Sequence, residues 1–172
     1  MRNFNTKQLV LMALMIALDI VLTRFLSIQT PIIRIGFGFL PVALVAMVYG
    51  PVSAAIVAVL ADVIGVSFFS GLTLFPGFTL SAALVGIIYG VFMYKRVGST
   101  FHICAAVFTI SIFISLGLNT FWIHMMTGNP YFVILSTRLV GQAVMVPIQI
   151  ITIKTFATVL RSHGSMLIGS RA

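Results

Sequence analysis

Acidic side chains are nearly absent from this chain: two carboxylates, Asp19 and Asp62, stand against ten basic residues, and charged residues make up 7% of its 172 positions. Soluble domains carry roughly 25%, so a water-solvated surface of ordinary composition is excluded. Cysteine is scarce too. Cys104 stands alone, which rules out an intrachain disulfide and a cysteine-based metal motif and leaves it to read as a small apolar helix residue. No G-x-x-x-x-G-K-[ST] phosphate loop occurs, so the chain does not harness ATP by that mechanism. Paired acids, a Ser-His arrangement and histidines at metal spacing are also missing, so neither a catalytic residue nor a metal ligand is nominated. Nor do Lys and Arg cluster on a polar surface, which argues against a nucleic-acid binder despite a net charge of +8.

What fills the sequence is apolar: 60% of it is hydrophobic, with a mean hydropathy of +1.21. A membrane-spanning helix takes about 20 residues, so residues 1–172 read as one all-α integral membrane domain, a bundle of six transmembrane helices. Turn chemistry at Gln29-Thr30-Pro31, Tyr49-Gly50-Pro51, Ser70-Gly71, Lys95 to Ser99 and Thr127 to Pro130 places the spans at 8–27, 36–50, 52–69, 76–94, 101–125 and 133–160. The second is short, and Gly36, Gly38 and Pro41 predict an irregular start shielded by neighbouring helices. The first apolar run continues to Phe25 without a small-x-small cleavage site, so it reads as an uncleaved span.

Alternating the loops puts Arg2, Lys7, Lys95, Arg96, Arg161 and Arg171 on one side, with Lys154 reaching towards it, and leaves Arg24, Arg34 and Arg138 on the other. By the positive-inside rule this is a multi-pass protein of the cell membrane with both termini cytoplasmic. The three outward arginines oppose that rule and converge on the outer mouth. They either clamp carboxylates with paired hydrogen bonds or snorkel to lipid headgroups.

Ionisable and polar groups inside the spans are the other candidates, because a charge at bilayer depth persists where it faces a bundle interior or a wet cavity. Asp62 either accepts hydrogen bonds from ring donors of a solute or neutralises an arginine across the bundle. Asp19 shares a helix with Arg24, so a structural network is an equal alternative. Arg138 and Gln142 lie four apart on one helical face. Asn119 offers an amide to the edge of a flat heterocycle and Trp122 a stacking face, although Trp122 also suits an interfacial belt. His124 reads as an interface residue. Small-residue stripes at Ala13 and Ala17, and at Ala82, Gly86 and Gly90, let helices approach closely within the bundle or against a partner.

Several segments in order carry a resemblance: Ala13-Leu-Met-Ile-Ala17, Ile35-Gly-Phe-Gly-Phe-Leu-Pro41 leading to Val48-Tyr-Gly-Pro51, Leu60-Ala-Asp62-Val-Ile-Gly65, Phe75-Pro-Gly-Phe-Thr-Leu-Ser-Ala82 with Ile88-Tyr-Gly90, and Leu118-Asn-Thr-Phe-Trp122 to Arg138. Together, over nearly the whole chain, they resemble the folate-type substrate-binding S component of energy-coupling factor transporters. The resemblance implies high-affinity vitamin capture from outside the cell. It also implies docking of the Ala13/Ala17 face on a transmembrane coupling subunit that joins two cytoplasmic ATPases, and toppling of the S component in the membrane. ATP is then used by the partners, and no cofactor belongs to this chain. Residues Leu26–Arg34 and Thr127–Phe132 match the family's gating loops. A pterin head would suit Asp62 or Asn119 with Trp122, Phe37 and Phe75, with Gln142 beside them, and an anionic glutamate tail would suit Arg24, Arg34 and Arg138. The rival class is a non-transporting membrane scaffold or assembly protein whose helix stripes bind partner helices.

Overall fold

The computed structural model describes residues 6–25, 27–29, 34–69, 75–96 and 99–168; the side chains at 28, 29, 34, 35, 69, 161 and 163–168 lie outside that description. Six helical rods make up the described chain: α1 (Thr6–Arg24), α2 (Phe39–Tyr49), α3 (Pro51–Phe69), α4 (Pro76–Met93), α5 (Thr100–Thr127) and α6 (Tyr131–Ile168). All but α2 are long and apolar enough to cross a membrane.

With 11 residues, α2 rises only about 16 Å, well short of a hydrocarbon core of about 30 Å. Its burial accounts for this. Leu40, Pro41, Val42, Ala43, Val45, Ala46 and Met47 are all buried, so the short rod sits inside the bundle and its ends do not have to meet lipid. Its lead-in is irregular, as the glycines and Pro41 predict. The all-α expectation needs one small correction there, because Ile28–Gln29 (β1) and Arg34–Ile35 (β2) form a two-residue antiparallel pair. Backbone groups in a loop need partners, and this pairing supplies them where α1 has already stopped at Arg24, three residues before the expected boundary.

The core runs from α2 into its neighbours: Ala54 and Val57 of α3, Tyr89 and Met93 of α4, Ile103 and Val107 of α5, and Ile153 and Ala157 of α6. The outer faces stay apolar. Phe68, Phe101 and Phe132 expose 80%, 77% and 79% of their surface, which suits lipid and not water. The α3–α4 contact is the most extensive in the bundle, and the stripe at Gly86 and Gly90 makes it possible. A Cβ at Gly86 would fall 2.6 Å from the Ala55 backbone nitrogen, and one at Gly90 would collide with Pro51. That stripe therefore serves internal packing. At the α2–α3 corner, Gly50 takes φ +88°, a conformation that disfavours any Cβ and lets α3 begin at the next residue.

Two helices depart from the expected outline. α5 changes character along its length: Thr100–Thr109 is α-helical, Ile110–Leu118 is a π-helix of 9 residues, and Asn119–Thr127 is α-helical again. α6 continues 38 residues to Ile168, beyond the expected end at 160. The fall in hydropathy after Leu160 marks where apolar surface ends, whereas backbone hydrogen bonding continues without it.

Candidate functional site

The last turns of α1, α3 and α5 and the first turns of α2, α4 and α6 lie towards one end of the bundle, where polar contacts link α3 to α4, α4 to α5 and α5 to α6. Arg24, the final residue of α1, lies against α3: a Cβ placed on Gly65 would sit 3.2 Å from its Nε and 3.3 Å from its Nη2. Gly65 is three residues past Asp62, hence on the same face of α3. The Asp62 carboxylate is engaged by α4, accepting a hydrogen bond from Thr79 Oγ1 at 2.9 Å. Asp19 is 8% exposed and accepts a hydrogen bond from Thr23 Oγ1 at 2.9 Å. Asp62 and Arg24 both lie within electrostatic reach of it.

An aromatic wall continues from α4 to α5. The rings of Phe75 and Trp122 have centroids 5.7 Å apart at 59°, and Phe78 and Phe121 extend the group on either side. Gly77 leaves room for it, since a Cβ there would fall 2.6 Å from the Trp122 ring. Trp122 Nε1–H donates to Ser81 Oγ at 3.2 Å, so the half-buried indole is tied to α4. Among the described residues Phe37 is not joined to this group; it packs on Phe39 with centroids 6.3 Å apart.

Between α5 and α6, side chains converge on the π segment of α5. The Ser115 carbonyl accepts from Arg138 Nη1 at 2.7 Å and from Thr120 Oγ1 at 3.3 Å, and the Leu116 carbonyl accepts from Tyr131 O–H at 3.4 Å. Asn119 Oδ1, Gln142 Oε1 and Gln149 Oε1 are buried with no hydrogen-bond partner among the described residues. A buried carbonyl left unpaired costs about 1–3 kcal/mol, so these oxygens call for a donor from a bound molecule or from water. The arrangement can hold a flat aromatic body against Phe75 and Trp122, offer acceptors to its N–H groups, and present guanidinium groups to an anion.

Arg24, Asp62, Phe75, Asn119, Trp122 and Arg138 thus lie towards one end, while Gln142 stands eleven residues into α6. For Arg34 only the backbone position in β2 is described. Of the expected gating segments, Leu26 and residues 30–33 lie outside the described residues. His124 Nδ1 pairs with the Asn129 carbonyl at 2.6 Å, and no group of three potential metal ligands occurs among the described residues. Ala13 and Ala17 are exposed on α1. Sequence reasoning did not assign Thr79, Ser81, Gly65 or Ser115 to the site, although Gly65, Thr79 and Ser81 fall within the segments that carry the family resemblance. Gln149 lies eighteen residues beyond the start of α6, away from the site end.

Comparison with known proteins sharpens this picture. The family model of the ECF transporter substrate-specific component matches residues 7–160. The chain belongs to this family. A folate transporter, FolT, from Clostridium novyi (strain NT) is 50% identical over 145 residues, covering 84% of each chain. A second folate transporter FolT, from Leuconostoc mesenteroides subsp. mesenteroides, is 30% identical over 154 residues, covering 86% of this chain and 83% of the relative. Among solved structures, a crystal structure of FolT bound with folic acid aligns with a TM-score of 0.84 at 34% identity over 90% of this chain and 94% of the other. As an ECF substrate-specific component, the chain is a subunit of a multi-pass membrane transporter and not an enzyme.

Proposed function

We propose that this substrate-specific component captures folate from outside the cell and delivers it inward together with a transmembrane coupling subunit and two cytoplasmic ATPases. The reading is carried by two features of the chain: the Phe75–Trp122 aromatic pair and the buried, unpaired amide oxygens of Asn119 and Gln142. The pterin ring of folate has flat faces for the first and N–H donors for the second. Its glutamate carries carboxylates for Arg24, which lies along Gly65, and for Arg138, which donates to the Ser115 carbonyl. The names of the relatives and of the aligned structure support the same substrate.

Six crossings with both termini cytoplasmic fit this reading: they place the site end outside and Lys7, Lys95, Arg96 and Lys154 within reach of the cytoplasm. The exposed Ala13 and Ala17 then offer a small-residue face to a helix of the coupling subunit. ATP is consumed by the partner ATPases, and this chain needs no cofactor of its own.

Calorimetry of the purified chain with folic acid tests the substrate, with binding tighter than micromolar expected. The ultraviolet spectrum of the supernatant after denaturation offers a second check, since a protein purified from folate-containing cells should release a pterin chromophore. Absence of both binding and chromophore would overturn the proposal.

A further inference from the structure

A threonine inside a helix satisfies its hydroxyl on a carbonyl one turn back, and Thr109, Thr127, Thr137, Thr155 and Thr158 each donate to the carbonyl four residues before them. Thr120 breaks this pattern. Its hydroxyl donates at 3.3 Å to the Ser115 carbonyl, five residues back, a partner that the wide i→i+5 turns of the π segment bring within reach. The carbonyl four residues back is that of Leu116, and it is occupied from α6 by the Tyr131 hydroxyl at 3.4 Å. Arg138 Nη1 adds a second donor to the Ser115 carbonyl at 2.7 Å.

Burial records the same departure from α-helical spacing. Val107 and Ile114 are both buried, and residues seven apart share one face of an α-helix. The next position of that series is Phe121. It is 46% exposed, whereas Thr120 beside it is fully buried. Asn119, with its buried amide oxygen, and Trp122, tied to Ser81, stand on either side of this pair.

We infer that Thr120 and Tyr131 are positioning residues of the vitamin site: Thr120 holds the carbonyl five residues back, Tyr131 occupies the one four residues back, and together they keep Ile110–Leu118 in its π register. The inference rests on the proposed folate site. Neither side chain has to touch the vitamin. With the Leu116 carbonyl open, the Thr120 hydroxyl would find the four-residue partner that the other threonines use. The segment would then close towards α-helix, and Phe121 would turn inward in place of Asn119 and Trp122.

Trp122 is the single tryptophan, so its emission reports the register in the purified, ligand-free chain. Thr120→Val and Tyr131→Phe should each shift that emission, and Thr120→Ser should keep the wild-type spectrum. By calorimetry, folic acid should bind about three- to tenfold more weakly to Thr120→Val and to Tyr131→Phe, as loss of one hydrogen bond predicts, and Thr120→Ser should restore affinity. A double-mutant cycle separates positioning from a general loss of stability. Thr120→Val combined with Asn119→Ala should weaken binding by clearly less than the product of the two single losses, because both changes act on the same amide. Tyr131→Phe removes one oxygen and keeps the test available if Thr120→Val does not fold. An unshifted Trp122 emission, wild-type affinity in both variants, failure of Thr120→Ser to restore binding, or fully multiplicative losses would each overturn the positioning role. If the wild-type chain bound no folic acid, the proposed function would fall, and the emission of the ligand-free variants would still decide the register.

Discussion

Trp122 reaches across from α5 to α4 and donates its indole N–H to Ser81 at 3.2 Å. Because that proton is already committed, the indole offers a ligand its π-face and nothing else, in an orientation set by Ser81 and by the space above Gly77. Folic acid should therefore quench Trp122 fluorescence on binding. Ser81→Ala should weaken binding by about 0.5–1.5 kcal/mol, the net worth of the lost hydrogen bond, and fluorescence titration would show whether it does.

Asn119→Ala and Arg138→Ala should cost more. Each removes a group that a desolvated ligand would otherwise pair with, and the unpaired remainder costs about 1–3 kcal/mol or more. Calorimetry on the two variants gives the answer directly; wild-type affinity would remove both side chains from the pocket.

Gly65→Ala is expected to act on Arg24 without touching a ligand. The added methyl would occupy the surface on which the guanidinium rests, pushing it off α3. If Arg24 serves the glutamate tail, affinity should fall for folic acid and hardly at all for pteroic acid, which lacks that glutamate. Equal losses for both compounds would place Arg24 away from the tail.

Bulk at the α3–α4 seam should damage the fold and spare the chemistry. Gly86→Val would force a side chain into the Ala54–Ala55 backbone, and overpacking of this kind costs about 1–3 kcal/mol. Thermal unfolding in detergent should shift downward by several degrees, with tighter effects at Gly90, where Pro51 stands even closer.

Ala13→Trp and Ala17→Trp are predicted to leave folic acid affinity intact while preventing co-purification with a coupling subunit. Both positions are exposed on α1 and outside the polar chain of contacts at the site end. Loss of vitamin binding in these variants would contradict that separation.

Much of this was legible in the residues because lipid is an unforgiving solvent. Polar groups inside apolar runs stand out, and Arg24, Asp62, Asn119, Trp122, Arg138 and Gln142 were visible for that reason. Their partners were not. Thr79 and Ser81 are ordinary residues at a helix start until the fold sets Asp62 and Trp122 beside them, and Gly65 matters only through the side chain lying on it. Phe37 shared the aromatic chemistry of Phe75, but its position in the lead-in to α2 turns it towards Phe39. The β1–β2 pair escaped because two residues per strand leave no periodicity to read, and the extension of α6 escaped because hydropathy reports solvent, not hydrogen bonding.

Nothing in Ile-Ser-Ile-Phe-Ile-Ser-Leu-Gly-Leu announces a π-helix, yet this stretch sets the rotational phase of everything after it. Successive residues of an α-helix are turned by about 100°, and each extra residue that wider i→i+5 turns absorb relative to α-helical winding shifts the downstream side chains by about that angle. Asn119 and Trp122 follow the stretch directly. Were Ile110–Leu118 to tighten into ordinary α-helix, the amide and the indole would swing off their present bearing while α5 kept its place in the bundle. The aim of one wall of the proposed site is thus stored in the backbone winding of the segment that precedes it.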